Sequence, residues 1–122
     1  HAPFLMTQAL LPLMQRADSA SIIFTGSSVG FTGRAYWGAY AASKAATENL
    51  MQTLADELCE TSNVRCNSIN PGATRTNMRA SAYPAENPAD VSAPETLMPT
   101  YLYLMGDDSK LSNGQQYDAQ DK

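Results

Sequence analysis

The chain has 122 residues, with 43% hydrophobic and 16% charged positions and a formal net charge of −4. That is one domain's worth of sequence with room for a modest core, and its acidic balance argues against nucleic acid or an anionic membrane as partner. No apolar stretch is long enough to span a bilayer, and one histidine, two separated cysteines and no clustered carboxylates leave no metal-ligand set.

Residues 4–16 carry Leu5, Met6, Ala9, Leu10, Leu13 and Met14 at three- and four-residue steps. This spacing predicts an amphipathic helix, with a bend at Pro12. After a polar break, residues 21–25 form a short apolar run that predicts a strand buried on both faces. Residues 26–38 read as a polar, glycine-rich loop. Residues 39–60 form the longest helical pattern, with Ala41, Ala42, Ala45 and Ala46 followed by Leu50, Met51, Leu54, Ala55 and Leu58. The alanines keep one stretch of that helix slim.

Residues 64–69 predict the next strand, ended sharply by Asn70-Pro71-Gly72. Residues 78–94 lack periodicity and hold Pro84, Pro88 and Pro94, which predicts a mobile loop covering a substrate. Pro94-Glu95 opens a further helix with Leu97, Tyr101, Leu104 and Met105 on its apolar face. Residues 114–120 hold the last short strand, roughly 114–118. Cys59 and Cys66 are too few for a disulfide framework and point to a reducing, cytoplasmic compartment.

The chemistry concentrates at the junction of the first loop and the long helix. Tyr40 and Lys44 are four residues apart and share one helix face. A free tyrosine has a pKa of about 10 and is a poor acid or base near neutrality. A cation held close favours the phenolate, and the first turn of a helix adds positive potential. Such a phenol suits a carbonyl–alcohol interconversion as general acid/base. Ser27, in the preceding loop, could hydrogen-bond the same substrate oxygen, with Ser28 as its alternative. The set contains no hydride carrier, so it calls for a redox cofactor.

Ser27, thirteen residues before Tyr40, followed by Tyr40-Ala41-Ala42-Ser43-Lys44, resembles the Ser…Tyr-x-x-x-Lys signature of the short-chain dehydrogenase/reductase family. Thr7-Gln8-Ala9-Leu10-Leu11-Pro12 resembles the helix before the serine strand. Asn70-Pro71-Gly72-Ala73-Thr74-Arg75-Thr76 resembles the family's Pro-Gly-x-x-x-Thr cofactor loop. The resemblance covers nearly all of the chain. It implies that Ser27, Tyr40 and Lys44 are catalytic, and that Tyr40, Lys44, Pro71, Gly72, Ala73 and Thr76 contact the cofactor.

The implied fold is α/β: the C-terminal half of a doubly wound, Rossmann-type parallel-sheet domain, with helices on both faces. The family's Gly-x-x-x-Gly-x-Gly diphosphate loop occurs nowhere in the chain. Residues 1–122 are therefore expected to be a partial domain, with the first four strands upstream and the fragment itself inactive. The implied cofactor is NAD or NADP, with NADP preferred, and the implied substrate is a small carbonyl or alcohol. The resemblance also implies a homodimer or homotetramer, built from helices 4–16 and 39–60. Two other functions compete: a non-catalytic, cofactor-binding regulatory protein that keeps the fold, and a sugar-nucleotide epimerase or dehydratase. The latter shares Tyr-x-x-x-Lys but carries a longer C-terminal substrate domain. Where the family more often ends with Val-Asp-Gly-Gly, this chain has Tyr117-Asp118-Ala119-Gln120.

Overall fold

The computed structural model describes residues 1–120. Three parallel strands, β1 (Ala20–Thr25), β2 (Val64–Asn70) and β3 (Gln116–Asp118), lie side by side in that order. The helices are α1 (Ala2–Met14), α2 (Gly38–Leu58), α3 (Asn77–Ala82) and α4 (Met98–Met105). Parallel neighbours need a crossover, and α2 supplies the one between β1 and β2.

The register explains which residues meet which helix. Ile22 lies opposite Cys66 and Phe24 opposite Ser68, so the even-numbered residues of both strands share a face. On that face Ile22, Phe24, Val64 and Cys66 pack with Met51, Leu54, Ala55 and Leu58 of α2 in one apolar cluster. Leu11 and Met14 of α1 close its edge. Odd-numbered residues face the other way. The Ser21 hydroxyl donates to the Leu104 carbonyl of α4 at 2.7 Å, and the Arg65 guanidinium reaches the carbonyls of Leu104 and Gly106. Helices thus cover both faces of a parallel sheet, the α/β arrangement the sequence implies. No described helix is long and apolar enough to cross a membrane.

Several expectations change in detail. Strand β2 is buried from Val64 to Ile69, whereas β1 is buried at Ile22 and Phe24 and less so at its other residues. α1 begins at Ala2 and runs through Pro12 without ending there. Its apolar residues do not form a core stripe: Phe4, Leu5, Met6, Leu10 and Leu13 are exposed, and the buried residue is Thr7. The Thr7 hydroxyl is satisfied by the Pro3 carbonyl of the preceding turn at 2.6 Å.

The segment 78–94 is not the plain loop expected from its prolines. Its first part is helical, as α3, and Pro88–Asp90 forms a 3-10 turn. Local capping makes both: Thr76 Oγ accepts from Arg79 N at 3.1 Å, and Asn87 Oδ1 accepts from Ala89 N at 3.1 Å. Pro94–Leu97 is a 3-10 turn leading into α4 at Met98, and β3 is confined to Gln116–Asp118.

The two cysteines sit in opposite environments. Cys59 is exposed at the end of α2, whereas Cys66 is fully buried in β2. Burial disfavours the thiolate and pushes the Cys66 thiol up to about 12. Since the thiolate is the nucleophile, iodoacetamide at neutral pH should label Cys59 in the native protein and leave Cys66 unmodified until denaturant is added. Peptide mapping by mass spectrometry reads this directly, and native labelling of Cys66 at the rate of Cys59 would contradict the packing of β2.

Candidate active site

β1 ends at Thr25 and is followed by Gly26 and Ser27, which lead into the 3-10 turn Ser28–Gly30. Ser27 caps that turn, its Oγ accepting from Val29 N at 3.4 Å. The chain then crosses to α2 through Tyr36, which takes a φ of 70°, and Trp37. Tyr40 lies in the first turn of α2 and Lys44 one turn further on.

The Lys44 Nζ donates to the Thr25 carbonyl at 3.1 Å and lies 5.6 Å from the centre of the Tyr40 ring. The ammonium thus joins the C-terminal end of β1 to the helix that bears the phenol. Ser27 follows two residues after the carbonyl that holds Lys44, on the same side of the fold. In open α/β sheets ligands bind at the C-terminal ends of the strands, and this junction is such a place.

The second strand contributes a separate loop. Gly72, with a φ of 74°, donates through its N–H to Asn70 Oδ1 at 3.1 Å, and Thr74 Oγ donates back to the Gly72 carbonyl at 3.1 Å. The Gln120 side-chain amide spans the loop, donating to the carbonyls of Pro71 at 2.8 Å and Ala73 at 2.6 Å. Its oxygen accepts from Ser92 Oγ at 2.9 Å. Pro71, Gly72, Ala73 and Thr76 therefore lie along one braced turn at the end of β2. Gly72, Ala73 and Thr76 are exposed, and Pro71 is half-buried. The Thr76 hydroxyl and the Lys44 ammonium are donors that suit the polar groups of a dinucleotide.

A third group comes from α3. The Trp37 indole meets the Tyr40 ring edge-on at 5.6 Å and stacks near-parallel on Tyr83 at 6.4 Å. The Arg79 guanidinium covers Tyr83, 3.8 Å from the ring centre, and pairs bidentately with Glu86 at 2.9 and 2.8 Å. The hydrogen bond to Glu86 raises the Arg79 pKa, and the same bond holds the Glu86 carboxyl below its ordinary value of 4.5.

The structure brings Tyr40 and Lys44 together on one helix face, with Ser27 at the adjoining strand end. It sets the loop 71–76 on the neighbouring strand. Two features gave no sequence signal. Gln120 braces the loop from about fifty positions away, and Arg79, Tyr83 and Glu86 form their cluster across a segment without periodicity. The bridge that Trp37 makes to Tyr83 likewise has no sign in the sequence.

A parallel sheet with helices on both faces, of the α/β dinucleotide-binding type, carries a tyrosine, a lysine and a serine at its carboxyl edge. The short chain dehydrogenase family model matches residues 1–87. The chain belongs to the short-chain dehydrogenase family. It is 58% identical over 120 residues to the uncharacterized oxidoreductase YciK of Escherichia coli K12, covering 98% of this chain and 47% of that protein. A short chain dehydrogenase structure from Pseudomonas syringae is 66% identical with a TM-score of 0.94, covering 98% of this chain and 48% of that one. Another, from Shigella flexneri 2a and complexed with NADP, is 57% identical with a TM-score of 0.93 and covers 98% and 49%. The chain spans about half the length of the relatives it matches.

The Arg79–Glu86 pair sets a pH dependence. Because the folded-state pKa of Glu86 is lowered, its contribution is fully present above the ordinary carboxylate value of 4.5 and is lost as pH falls through the lowered value. Thermal melts of the full-length protein and of Glu86→Gln should differ at pH 6, with the unsubstituted protein higher, and the gap should narrow steadily below about pH 4.5. A gap independent of pH would rule out the pair as its source.

Proposed function

We propose that the protein to which this chain belongs is an NADP-dependent oxidoreductase that interconverts a carbonyl and an alcohol, with Tyr40 as its general acid/base. The observation that carries this reading is Lys44: its ammonium is fixed by the Thr25 carbonyl within 5.6 Å of the Tyr40 ring centre, at the carboxyl edge of a parallel sheet. The preference for NADP rests on the Shigella flexneri relative, which was solved with that cofactor.

The bound nicotinamide supplies or accepts the hydride at the substrate carbon. The chain's own residues handle the oxygen. In the reducing direction Tyr40 gives its phenolic proton to the carbonyl oxygen as negative charge develops there, and in the oxidising direction it takes the proton back. Lys44 favours the tyrosinate formed in between, since a nearby cation stabilises an anion. Ser27 donates a hydrogen bond to the same oxygen and holds it against the phenol. Lys44 would also hold the cofactor ribose, and Pro71, Gly72, Ala73 and Thr76 would line the rest of the cofactor.

We also propose that the diphosphate-binding half of the domain lies outside residues 1–122. Support comes from the missing glycine loop and from the half-length coverage of the relatives. In the whole protein, the exposed apolar residues of α1 and the small residues of α2 would pair with a second copy. The two free thiols fit a reducing, cytoplasmic setting.

In the full-length protein Tyr40→Phe should lower turnover by about 10²–10⁴-fold, the worth of a positioned acid/base. Affinity for NADP should change little, since the ring and its neighbours remain. The assay is NADPH oxidation against a panel of ketones and aldehydes, with cofactor affinity from calorimetry. Turnover equal to that of the unsubstituted protein would remove Tyr40 from the mechanism.

A further inference from the structure

Glu48 is a carboxylate in the wrong place for a surface helix. It lies on the same face of α2 as Tyr40 and Lys44, spaced four residues from Lys44, or about 6 Å along the axis. It is only 3% exposed. One carboxylate oxygen, Oε2, accepts from the Ser68 hydroxyl of β2 at 2.8 Å. The other, Oε1, is buried and has no hydrogen-bond partner. It points at Gly26: a Cβ built on that residue would run into Oε1. Burying a polar atom without a partner costs free energy. An apolar side chain would remove that orphaned oxygen but would also take the acceptor from the buried Ser68 hydroxyl, so Glu48 answers to a polar contact and not to core packing alone.

Its surroundings point to a positional role. The three residues at the end of β1 each meet the reacting face of α2 or carry its partner. Thr25 accepts the Lys44 ammonium, Gly26 abuts the Glu48 carboxylate, and Ser27 bears the hydroxyl assigned to the substrate oxygen. Further along the same loop, a Cβ on Gly30 would lie 3.2 Å from the Lys44 backbone, so the loop is pressed on the helix there as well. Ser68 lies opposite Phe24 in the register, so Glu48 reaches both strands from one point on the helix.

We infer that Glu48 is a positioning residue, which sets the height and rotation of α2 over the ends of β1 and β2, and so the approach of Tyr40 to Ser27. The inference rests on the dehydrogenase reading given above. Glu48 is itself buried and touches neither substrate nor cofactor. It acts through Gly26 on Ser27 and through the helix on Tyr40 and Lys44. Misplacing reacting groups by about 1 Å can cost about 10²-fold in rate, so the effect should appear in kcat.

The test uses the full-length protein and steady-state kinetics well below the melting temperature of each variant. Glu48→Met keeps the volume and removes the hydrogen bond to Ser68. It should lower kcat by about tenfold or more while KM for NADPH stays within about twofold. Glu48→Gln keeps an acceptor for Ser68 and should hold kcat within about threefold. Gly26→Ala presses on the same carboxylate from the other side and should also lower kcat by about tenfold or more. If Glu48→Met retains the kcat of the unsubstituted protein, or if Gln and Met lose kcat equally, the inference is wrong. If Glu48→Met does not fold, Gly26→Ala decides: unsubstituted kcat in that variant overturns it. Tyr40→Phe in the same assay separates the two layers. An active Tyr40→Phe defeats the dehydrogenase reading itself, whereas an inactive Tyr40→Phe beside a fully active Glu48→Met defeats this inference alone.

Discussion

The seating of α2 on β1 and β2 is the constraint on which the rest of the site depends. A helix turns by about 100° per residue, so a slip of one position would carry Tyr40 out of the crevice. The far end of the helix is held by bulk: Met51, Leu54, Ala55 and Leu58 sink into the sheet with Ile22, Phe24, Val64 and Cys66. Apolar contact of this kind is non-directional and tolerates small rotations. The near end is held by polar, directional contacts, from Lys44 to the Thr25 carbonyl and from Glu48 to Ser68. Directional contacts thus gather at the Tyr40 end of the helix and apolar bulk at the other.

The middle strand answers the same need from the sheet side. β2 is buried along Val64–Ile69, yet it carries Arg65, Asn67 and Ser68. Buried polar groups are tolerated when they are hydrogen-bonded, and most of these are. Arg65 reaches Ser19, the carbonyls of Leu104 and Gly106, and Ser109. Asn67 donates to the Ser112 carbonyl and accepts from Gln115 N and Ser112 Oγ. The Cys66 N–H goes to Asn113 Oδ1, and Asn113 donates in turn to the Ala55 carbonyl of α2. The polar residues of one strand therefore fasten the irregular segment after α4 to the sheet. They also fix where β2 ends, and so where the loop of Pro71 to Thr76 begins. At that end Asn70 donates to the Asp118 carboxylate at 3.0 Å and braces Gly72 with its own oxygen.

What could be read from the sequence follows the same division. The strands at 21–25 and 64–69 and the long helix were legible because burial writes itself into apolar runs and spacing. Tyr40, Lys44 and the Pro71–Thr76 loop were legible because short motifs carry local geometry. Ser27 was legible only through its distance from Tyr40, since a serine after a strand also serves as a cap, and here it does cap the turn at Ser28–Gly30. The helix α3 was not legible. It has six residues and no buried side chain, and it exists through the Thr76 cap, not through a periodic stripe. The stripe in α1 gave the helix, though not what its apolar face meets. Periodicity reports an apolar face but not its neighbour, and in this structure that face is largely exposed. Glu48 reads in the sequence as an ordinary solvated helix glutamate, because spacing cannot show that residue 48 points at a glycine in a different element.

The short helix after the Pro71–Thr76 loop illustrates how an element without a core is nonetheless placed. Six residues are too few for a helix to hold itself in water. α3 is fixed from outside by side chains, with Arg79 clamped between the Tyr83 ring and the Glu86 carboxylate. A partly exposed ion pair of this kind contributes a modest stability that fades as Glu86 is protonated. The more specific contact is the stack of Tyr83 on Trp37, because Trp37 also meets Tyr40 edge-on and immediately precedes α2. One indole therefore touches both Tyr83 and the phenol. The position of Tyr83 and the packing around the phenol are thus not independent, even though no backbone hydrogen bond joins α3 to α2 among the described residues.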